Sequence, residues 1–449
     1  MTELLLKNAE ILTMDSKNTA YHPGYVWVRG NKIEMIGSME QISDVRLGVR
    51  CRELDCTGKI VMPGMINTHS HLSMMVFRSL ADDVPDRLKR YMMPLEQSVM
   101  TRGMAVAGAE YAFAELLLGG VTTVHDAYYF EKDIARAARA CGIRGVFAET
   151  VLDGRSPNAR KPYDGIAYSR EFIQEWIDDP LIRPAVNCHA IYTNDTEHLT
   201  KCHRLAREYD VMMSMHVAEM DYEQTDCLNR FGKTPVGYLE SIGVLDGKFL
   251  AAHSILLDEN DLHIYRKRDV KVSCNQGANA KSAKGVIRLA EMRRMGITTG
   301  LGSDGPMSGN TIDILTQLPL IAKLQKLFYR DRTLFPALEI LRMATIEGAK
   351  ALGLGQETGS LERGKKADII IFETDSVNMN PIYDYASVIV YSANPSNVET
   401  TIVDGKILMH KRKLLTMDMK KIRESMTAYH DQIASCADWI DSDVPRRNP

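Results

Sequence analysis

The middle of the chain alternates between short apolar runs and longer stretches whose apolar residues recur at helical spacing. The runs predict eight strands, at Ile60–Ile66, Val121–His125, Gly145–Val151, Arg183–His189, Val211–Val217, Phe249–His253, Val270–Cys274 and Ile297–Gly302. The intervening stretches predict helices, for example at Met104–Leu118, Lys132–Ala140, His198–Glu208 and Ile287–Met295. Eight strands alternating with helices over about 300 residues are typical of a closed parallel (β/α)₈ barrel. An open doubly wound sheet is the alternative, but no glycine-rich phosphate-binding sequence follows the first strand.

Both ends of the chain have a different pattern, with short β-rich runs separated by turns. At the start these runs are Leu4–Leu6, Ile11–Met14, Tyr25–Val28 and Lys32–Ile36, and near the end they are Asp368–Phe372, Thr400–Asp404 and Lys406–Met409. We expect the two ends to pair into one small β-sandwich domain. The predicted domains are therefore 1–58 and 359–416 for the sandwich, 59–358 for the barrel, and 417–449 for a C-terminal helix and polar tail.

Composition and charge narrow the class of protein. Of 449 residues, 45% are hydrophobic and 25% are charged, and the formal net charge is only −3. These values predict a soluble globular protein with neither nucleic-acid nor membrane partners. No apolar run approaches the roughly 18 residues that span a bilayer, and Glu3 argues against a signal peptide. The eight cysteines include no CxxC pair, which favours reduced thiols. We expect a cytoplasmic homo-oligomer.

Metal-binding residue types occur at the carboxyl ends of four predicted strands. His69 and His71 lie two positions apart at the end of the first strand, so their side chains point to the same side. His216, His253 and Asp304 end the fifth, sixth and eighth strands. The carboxyl ends of barrel strands form the catalytic face, so these side chains are expected to meet there. A single His after an apolar strand is often a packing residue, but four such strand ends indicate a shared metal site.

The residue types also indicate the chemistry. Imidazole nitrogens and a carboxylate suit Zn²⁺, with Fe²⁺ as the alternative, and leave a coordination position open for water. Such a cation lowers the pKa of water toward about 7, which makes a nucleophile available at neutral pH. Glu219 lies three residues beyond His216, close enough to move protons without binding the metal. The residues therefore predict metal-dependent hydrolysis.

Several motifs carry a more specific resemblance. Val61–His71 reads VMPGMINTHSH, and HVAE (216–219), AAHS (251–254), LGSDG (301–305) and GSLERGKKAD (359–368) follow in order. Together they resemble the amidohydrolase superfamily, over almost the whole chain. The nearest branch holds the methylthioadenosine/S-adenosylhomocysteine deaminases and the triazine (atrazine-type) hydrolases.

The resemblance implies a role for each matching residue. His69, His71, His216 and Asp304 would bind the metal. Glu219 would pass protons between water, ring nitrogen and leaving amine, His253 would orient and polarise the water, and Asp304 would also accept its proton. His189 matches a substrate-contacting His at the strand where binuclear relatives carry a carboxylated Lys, so one divalent ion per chain is expected. Glu96 matches the Glu that holds ribose hydroxyls in adenosine-type deaminases, although a helix N-terminal acid is an equal interpretation.

The sequence departs from these deaminases where they contact substrate. Glu149 stands at the position of an Arg that grips an amino-acid tail. The loop after the first strand lacks the usual Trp and carries Arg87, Lys89 and Arg90 instead. Arg87 is a candidate substrate contact. The alternative interpretation is a solvated basic turn whose charge is balanced by nearby aspartates. The strand-seven motif is altered to Asn275-Gln276-Gly277-Ala278-Asn279.

Three functions remain open at this point. The first is an aminohydrolase that replaces the exocyclic amine of a small-molecule aromatic heterocycle, such as a purine, adenosine derivative, pterin or triazine, with water and releases ammonia. The second uses the same machinery to release halide or alkylamine from a triazine-like ring. Because Glu219 and Asp304 are both present, proton transfer to an amine is favoured. The third is a non-catalytic barrel serving as an assembly protein, although none of the expected ligands is missing. The sequence does not identify the ring.

Overall fold

The computed structural model describes residues 3–45, 51–159 and 161–442. Its strands form two sheets, one in the barrel and one built from the chain ends. The strands are β1 (Glu3–Leu12), β2 (Ala20–Arg29), β3 (Lys32–Ser38), β4 (Cys51–Asp55), β5 (Ile60–Pro63), β6 (Met65–Ser70), β7 (Val121–Tyr128), β8 (Arg144–Val151), β9 (Ile182–Cys188), β10 (Met213–Val217), β11 (Phe249–His253), β12 (Lys271–Cys274), β13 (Thr299–Leu301), β14 (Ile369–Phe372), β15 (Val398–Val403), β16 (Lys406–His410) and β17 (Lys413–Leu414).

Helices connect the strands and surround the barrel. They are α1 (Met93–Ser98), α2 (Arg102–Leu118), α3 (Glu131–Cys141), α4 (Gly165–Trp176), α5 (Thr196–Glu208), α6 (Asp221–Phe231), α7 (Pro235–Ser241), α8 (Glu259–Arg268), α9 (Gln276–Lys281), α10 (Leu289–Arg294), α11 (Pro306–Gly309), α12 (Gln317–Tyr329), α13 (Ala337–Met343), α14 (Ile346–Ala351), α15 (Tyr385–Tyr391), α16 (Met419–Thr427) and α17 (His430–Ser442). The four helices predicted as examples correspond to α2, α3, α5 and α10. None of the helices within the described ranges is long and apolar enough to cross a membrane.

The barrel contains eight parallel strands in chain order, from β6 to β13, and β13 packs beside β6. Every residue of β7 and β8 is buried, as expected for strands covered by side chains inside the barrel and helices outside it. The predicted (β/α)₈ barrel is confirmed. Because all eight strands run in the same direction, their carboxyl ends open onto one face.

The small domain combines strands from both ends of the chain, as predicted. Its sheet follows the order β17-β16-β15-β14-β5-β1-β2-β3. β4 pairs in parallel with the first half of β1, along the same edge that β5 occupies further on. Pairing of β5 with β14 joins the two chain ends in antiparallel register, from Ile60 opposite Phe372 to Pro63 opposite Ile369. An apolar cluster that includes Leu6, Val61 and Ile402 fills one face of this sheet.

Two strand predictions are wrong in detail. The run Ile60–Ile66 is divided at Gly64, so that β5 joins the small sheet and β6 begins the barrel. A Cβ at Gly64 would lie 2.1 Å from the Thr122 side chain, so a larger residue would not fit this crossing point. The runs Leu4–Leu6 and Ile11–Met14 belong largely to the single strand β1, which shifts register around Asn8.

The C-terminal region contains two helices, α16 and α17, where one was predicted. Residues 443–449 of the predicted polar tail lie outside the described ranges. The domain boundaries at residues 58, 358 and 416 stay predictions.

Candidate metal centre

Five side chains from four barrel strands meet at the carboxyl face. His69 lies on β6 and His71 directly follows it, while His216 lies on β10 and His253 ends β11. Asp304 lies three residues after β13. Their ligand atoms form two overlapping groups, His69–His71–His216 and His69–His253–Asp304, with all atoms in each group within 4.8 Å of one another. All five residues are buried.

The hydrogen bonds around these histidines leave nitrogen lone pairs available for a cation. His71 Nδ1 lies 2.7 Å from the Ala127 carbonyl oxygen, and His216 Nδ1 lies 2.8 Å from that of His189. A carbonyl only accepts, so each Nδ1 donates, and the neutral ring then has its lone pair on Nε2. The two Nε2 atoms face each other at 3.3 Å. Neither ring nitrogen of buried His69 has a hydrogen-bond partner among the described residues. A metal-binding His/Asp site is therefore present.

The pKa values of the cluster shift in opposite directions and place a proton between His71 and Asp304. Burial and the neighbouring histidines hold the pKa of His69 well below its usual range. Burial would also lower the pKa of His71, but a hydrogen bond with Asp304 raises it to about 9. Asp304 has a strongly depressed pKa because His71 and the other histidines outweigh the effect of its burial. A proton and a divalent cation thus compete for the space between His71 and Asp304.

Local backbone conformation aims these side chains into the barrel mouth. Ala218, His253 and Asp304 have φ angles of +52°, +69° and +63°, in the left-handed region that non-glycine residues rarely adopt. Such strain concentrates at functional sites. Gly302 is also required, because a Cβ there would lie 2.1 Å from Asn275 Oδ1. This close approach explains the glycine before Ser303 and Asp304.

Glu219 and His253 lie beside the metal-binding cluster. Glu219 Oε1 is 3.6 Å from His253 Nε2, and His253 Nδ1 donates to Asn279 Oδ1 over 2.8 Å. The Glu223 carboxylate accepts from the backbone N–H groups of Ala218 and Glu219, at 3.0 and 2.9 Å, which fixes the turn after β10. Burial would raise the pKa of Glu219, but His253 and Lys284 lower it to about 2.

Lys284 was not predicted as a site residue. Its Nζ forms an ion pair with Glu219 Oε1, and its side chain is only 14% exposed. It lies in the loop after α9, where a lysine carries no periodic signal. Glu223 was also missed, although it lies only four residues after Glu219, in the first turn of α6.

The cluster lies at the floor of a cavity of about 580 Å³, a volume suited to a small molecule. Glu96 and His189 line its wall, and His189 Nδ1 is hydrogen-bonded to Thr193 Oγ1 over 2.9 Å. Removal of Glu96 from water raises its pKa to about 7, against the opposing effects of Tyr128 and His71. Glu96 also lies in the first turn of α1. Its position therefore fits both a contact to sugar hydroxyls and a helix N-terminal acid.

Arg87 lies in the rim of the cavity. Its side chain is 12% exposed, with Nη1 3.9 Å from Asp82 Oδ1 and Nη2 3.5 Å from Ser282 Oγ. Lys89 instead sits over the Tyr222 ring and Arg90 over the Tyr91 ring. Of the three cations in this loop, Arg87 is the one that lines the cavity.

Glu149 stands where the resemblance led us to expect an Arg, and the structure shows its carboxylate held by hydrogen bonds. Its carboxylate is buried and accepts from the Glu131 backbone N–H at 3.1 Å and from Asn158 Nδ2 at 2.6 Å. Burial raises its pKa to about 8 despite these hydrogen bonds.

Comparison with known sequences gives a consistent picture. A model of the amidohydrolase family matches residues 60–408. The chain is 37% identical to a 5-methylthioadenosine/S-adenosylhomocysteine deaminase from Syntrophobacter fumaroxidans, covering 94% of this chain and 96% of that protein. It is 36% identical to a 5'-deoxyadenosine deaminase from Methanobrevibacter smithii, covering 93% and 95% of the two chains.

Solved structures extend the similarity to the fold. An adenosine deaminase from Xanthomonas campestris with bound zinc superposes with a TM-score of 0.94 at 27% identity, covering 97% of this chain and 99% of that one. Atrazine chlorohydrolase from Arthrobacter aurescens, complexed with zinc, superposes with a TM-score of 0.86 at 22% identity, covering 95% and 99%. At that identity the second similarity concerns the fold alone.

Proposed function

The chain belongs to the amidohydrolase family, and from that premise we propose that it is a metal-dependent aminohydrolase. In the proposed reaction water adds to an amine-bearing carbon of an aromatic heterocycle, the C–N bond breaks, and the products are an oxo ring and ammonia. The observation that carries the proposal is that the His/Asp cluster and the Glu219–His253 pair share the floor of one cavity. A small-molecule heterocycle is the corresponding substrate.

We assign one divalent ion per chain to His69, His71, His216 and Asp304. The two overlapping ligand groups share His69, which supports a single centre. Zinc is the proposed metal, with Fe²⁺ as the alternative, because nitrogen and carboxylate donors suit it and the similar adenosine deaminase structure carries it. A bound divalent ion supplies Lewis-acid activation, lowering the pKa of a water molecule toward about 7.

The protein's own residues then move the protons. Glu219 takes a proton from the attacking water and delivers it to the ring nitrogen beside the reacting carbon, and later passes a proton to the leaving amine. His253 orients the water from the other side, held by Asn279 in the tautomer with its proton on Nδ1. Asp304 accepts the second proton of the water, and this is the proton that reaches the leaving amine through Glu219, so that ammonia departs and the ring keeps the oxygen. General acid–base transfers of this kind contribute roughly 10²–10⁴ in rate.

Adenosine-type compounds are the substrates that we place first. The relatives of highest similarity described above are named for methylthioadenosine, S-adenosylhomocysteine and 5'-deoxyadenosine. Glu96 in the cavity wall is our candidate acceptor for sugar hydroxyls, His189 a contact to the ring, and Arg87 a contact at the rim. Since Glu149 replaces the expected cation, we do not expect tight binding of an amino-acid tail.

Release of halide or alkylamine from a triazine-like ring is the second candidate, supported by the fold of the atrazine chlorohydrolase. Glu219 and Asp304 favour the amine, because a halide needs no proton to leave. A non-catalytic barrel is less consistent with a complete His/Asp cluster. Cytoplasmic location and a homo-oligomeric state stay predictions.

The test is an ammonia-release screen of metal-loaded protein across aminated purines, nucleosides, pterins and triazines. We expect release from at least one adenosine-type ring and a loss of roughly 10²–10⁴ in rate for Glu219→Gln. Chloride or alkylamine release without ammonia would replace the proposal with the second candidate, and no turnover with metal retained would favour the third.

A further inference from the structure

Lys284 is held in position to reach the reaction centre. Its backbone N–H donates to the Asn279 carbonyl over 2.9 Å, and the preceding residue, Ala283, turns the chain with a φ of +53°. The side chain is 14% exposed and its Nζ contacts Glu219 Oε1. That oxygen also faces His253 Nε2 at 3.6 Å. Lys284 therefore lies at the same edge of the cavity floor as the proposed proton shuttle.

The other two cations of the cavity wall are neutralised elsewhere. Lys281 Nζ lies 2.7 Å from Asp82 Oδ1, and Arg87 Nη1 lies 3.9 Å from the same oxygen. Burial would raise the pKa of Asp82, but hydrogen bonds from Lys281 and Asn310 keep it lowered. Among the described residues, Glu219 is the one carboxylate within ion-pair distance of Lys284. Lys284 is thus the cation of the cavity wall that lies beside the proposed proton shuttle and not at the rim.

The ion pair with Lys284 opposes the proton transfer that is proposed for Glu219. An ammonium group against a carboxylate stabilises the ionised form and opposes its protonation. The same carboxylate oxygen faces His253 Nε2 at 3.6 Å. A substrate acceptor that takes over the Lys284 hydrogen bond therefore frees Glu219 Oε1 for proton transfer.

We propose that Lys284 is a specificity-determining residue that binds an oxygen acceptor on the substrate ring, placed on the carbon next to the nitrogen served by Glu219. An acceptor there lies on the ring edge that faces both side chains, so Lys284 can transfer its hydrogen bond from Glu219 to the ring. The inference rests on the proposed function and narrows its substrate class to rings with an amino group and an oxo group on either side of one ring nitrogen. A charge-assisted hydrogen bond of this kind corresponds to roughly tenfold or more in affinity.

Matched ligands test the proposal. Adenosine and isoguanosine differ by an oxo group on the carbon beside the ring nitrogen, and their deaminated products, inosine and xanthosine, differ in the same way. Ammonia release gives kcat/KM for the first pair, and calorimetry gives Kd for the second pair without turnover. Lys284→Met removes the cation. Lys271→Met is the matched control, because Lys271 is also 14% exposed and ion-paired but begins β12, at the opposite end of the barrel.

We expect the wild type and Lys271→Met to prefer the oxo member of each pair roughly tenfold or more. Lys284→Met should reduce both ratios to near one. Equal or undetectable binding of the two products by the wild type would overturn the proposal, as would a Lys284→Met variant with the wild-type ratios. Loss of turnover by the same factor for both nucleosides would assign Lys284 to positioning Glu219 and also overturn it. A retained binding preference without ammonia release would support the Lys284 contact while refuting the proposed function.

Discussion

Both ends of the barrel bury polar and charged side chains, but the two ends differ in how completely these side chains are hydrogen-bonded. At the carboxyl end, both ring nitrogens of His69 and Nδ2 of Asn279 have no hydrogen-bond partner among the described residues. At the amino end of β8, each guanidinium nitrogen of Arg144 donates to an acceptor, and Asp368 receives two of these hydrogen bonds at 2.7 and 3.2 Å. Asp368 also accepts from the backbone N–H of Asp404 over 2.7 Å.

This difference distinguishes a ligand-binding site from an ion-pair cluster with a structural role. A buried polar group without a partner costs about 1–3 kcal/mol, so it persists where a ligand or ion satisfies it. A fully paired cluster needs no ligand, and here it joins β8 of the barrel to Asp368 and Asp404, which flank strands of the small sheet. Burial of charge alone does not identify the functional end of this barrel, whereas the gathering of His and Asp ligand atoms around the unpartnered His69 ring does.

The largest expected effect comes from removing a proposed metal ligand at the carboxyl end. His69→Ala and Asp304→Ala should each abolish ammonia release, because the ion loses one of four assigned ligands. Elemental analysis should show loss of the metal, and the circular dichroism spectrum should remain that of the folded chain. Activity equal to wild type in either variant would contradict the ligand assignment.

Replacing the proton shuttle should have the next largest effect. Glu219→Gln keeps the shape of the side chain and should lower kcat by roughly 10²–10⁴ with the metal still bound. Glu110→Gln serves as the control, since Glu110 is a half-buried glutamate on α2, outside the cavity wall. Full deaminase activity in Glu219→Gln would show that another group transfers the protons.

At the opposite end, a substitution should affect stability and leave catalysis intact. Asp368→Asn should lower the free energy of unfolding by about 3–5 kcal/mol, because the buried Arg144 charge loses its main partner. Denaturant titration measures this loss, and kcat of the remaining folded protein should match wild type. A large fall in kcat without a change in stability would contradict the distinction between a catalytic carboxyl end and a structural amino end.

Glu96 should introduce a pH dependence into substrate binding. Its pKa of about 7 means that the carboxylate forms as the pH rises from 6 to 8, and the ionised group accepts hydrogen bonds from hydroxyls more strongly. We expect KM for a nucleoside to fall by up to about tenfold over this range, and the fall to disappear in Glu96→Gln. The free base lacks the sugar and provides the control. The same pH dependence in Glu96→Gln would leave only the helix-terminal role for this residue.

The smallest expected effect concerns the rim. Arg87→Ala should raise KM of the true substrate by a few-fold, on the order of one rim hydrogen bond, and leave kcat nearly unchanged. Arg90→Ala should have less effect, since Arg90 sits over the Tyr91 ring rather than in the cavity wall. Identical KM values for all three proteins would show that neither Arg87 nor Arg90 contacts the substrate.

Much of the barrel and of its carboxyl face was predictable because apolar runs mark the strands and the chemical residues lie at their ends. The division of Ile60–Ile66 was not predictable, because it depends on the close approach of Gly64 to Thr122 from the next strand. Such a contact leaves no trace in the local pattern of apolar residues.

Partners distant in sequence set the other limit of prediction. The Arg144–Asp368 pair joins residues 224 positions apart, and Lys284 reaches Glu219 from another loop, 65 positions away. Neither pairing follows from periodicity or from a motif. The histidines were predictable because each one lies at the carboxyl end of a predicted strand, whereas these ion pairs depend on how the loops and the small sheet close on the barrel.

A metal titration can show whether one divalent ion in the His/Asp cluster supports deamination. Chelator-stripped protein receives increasing Zn²⁺, and ammonia release from an adenosine-type ring is measured against the number of ions bound per chain. We predict no release without metal, a linear rise, and a plateau at about one ion per chain, since the two overlapping ligand groups share His69. Full activity in the stripped protein, or a plateau at two ions, would contradict this prediction.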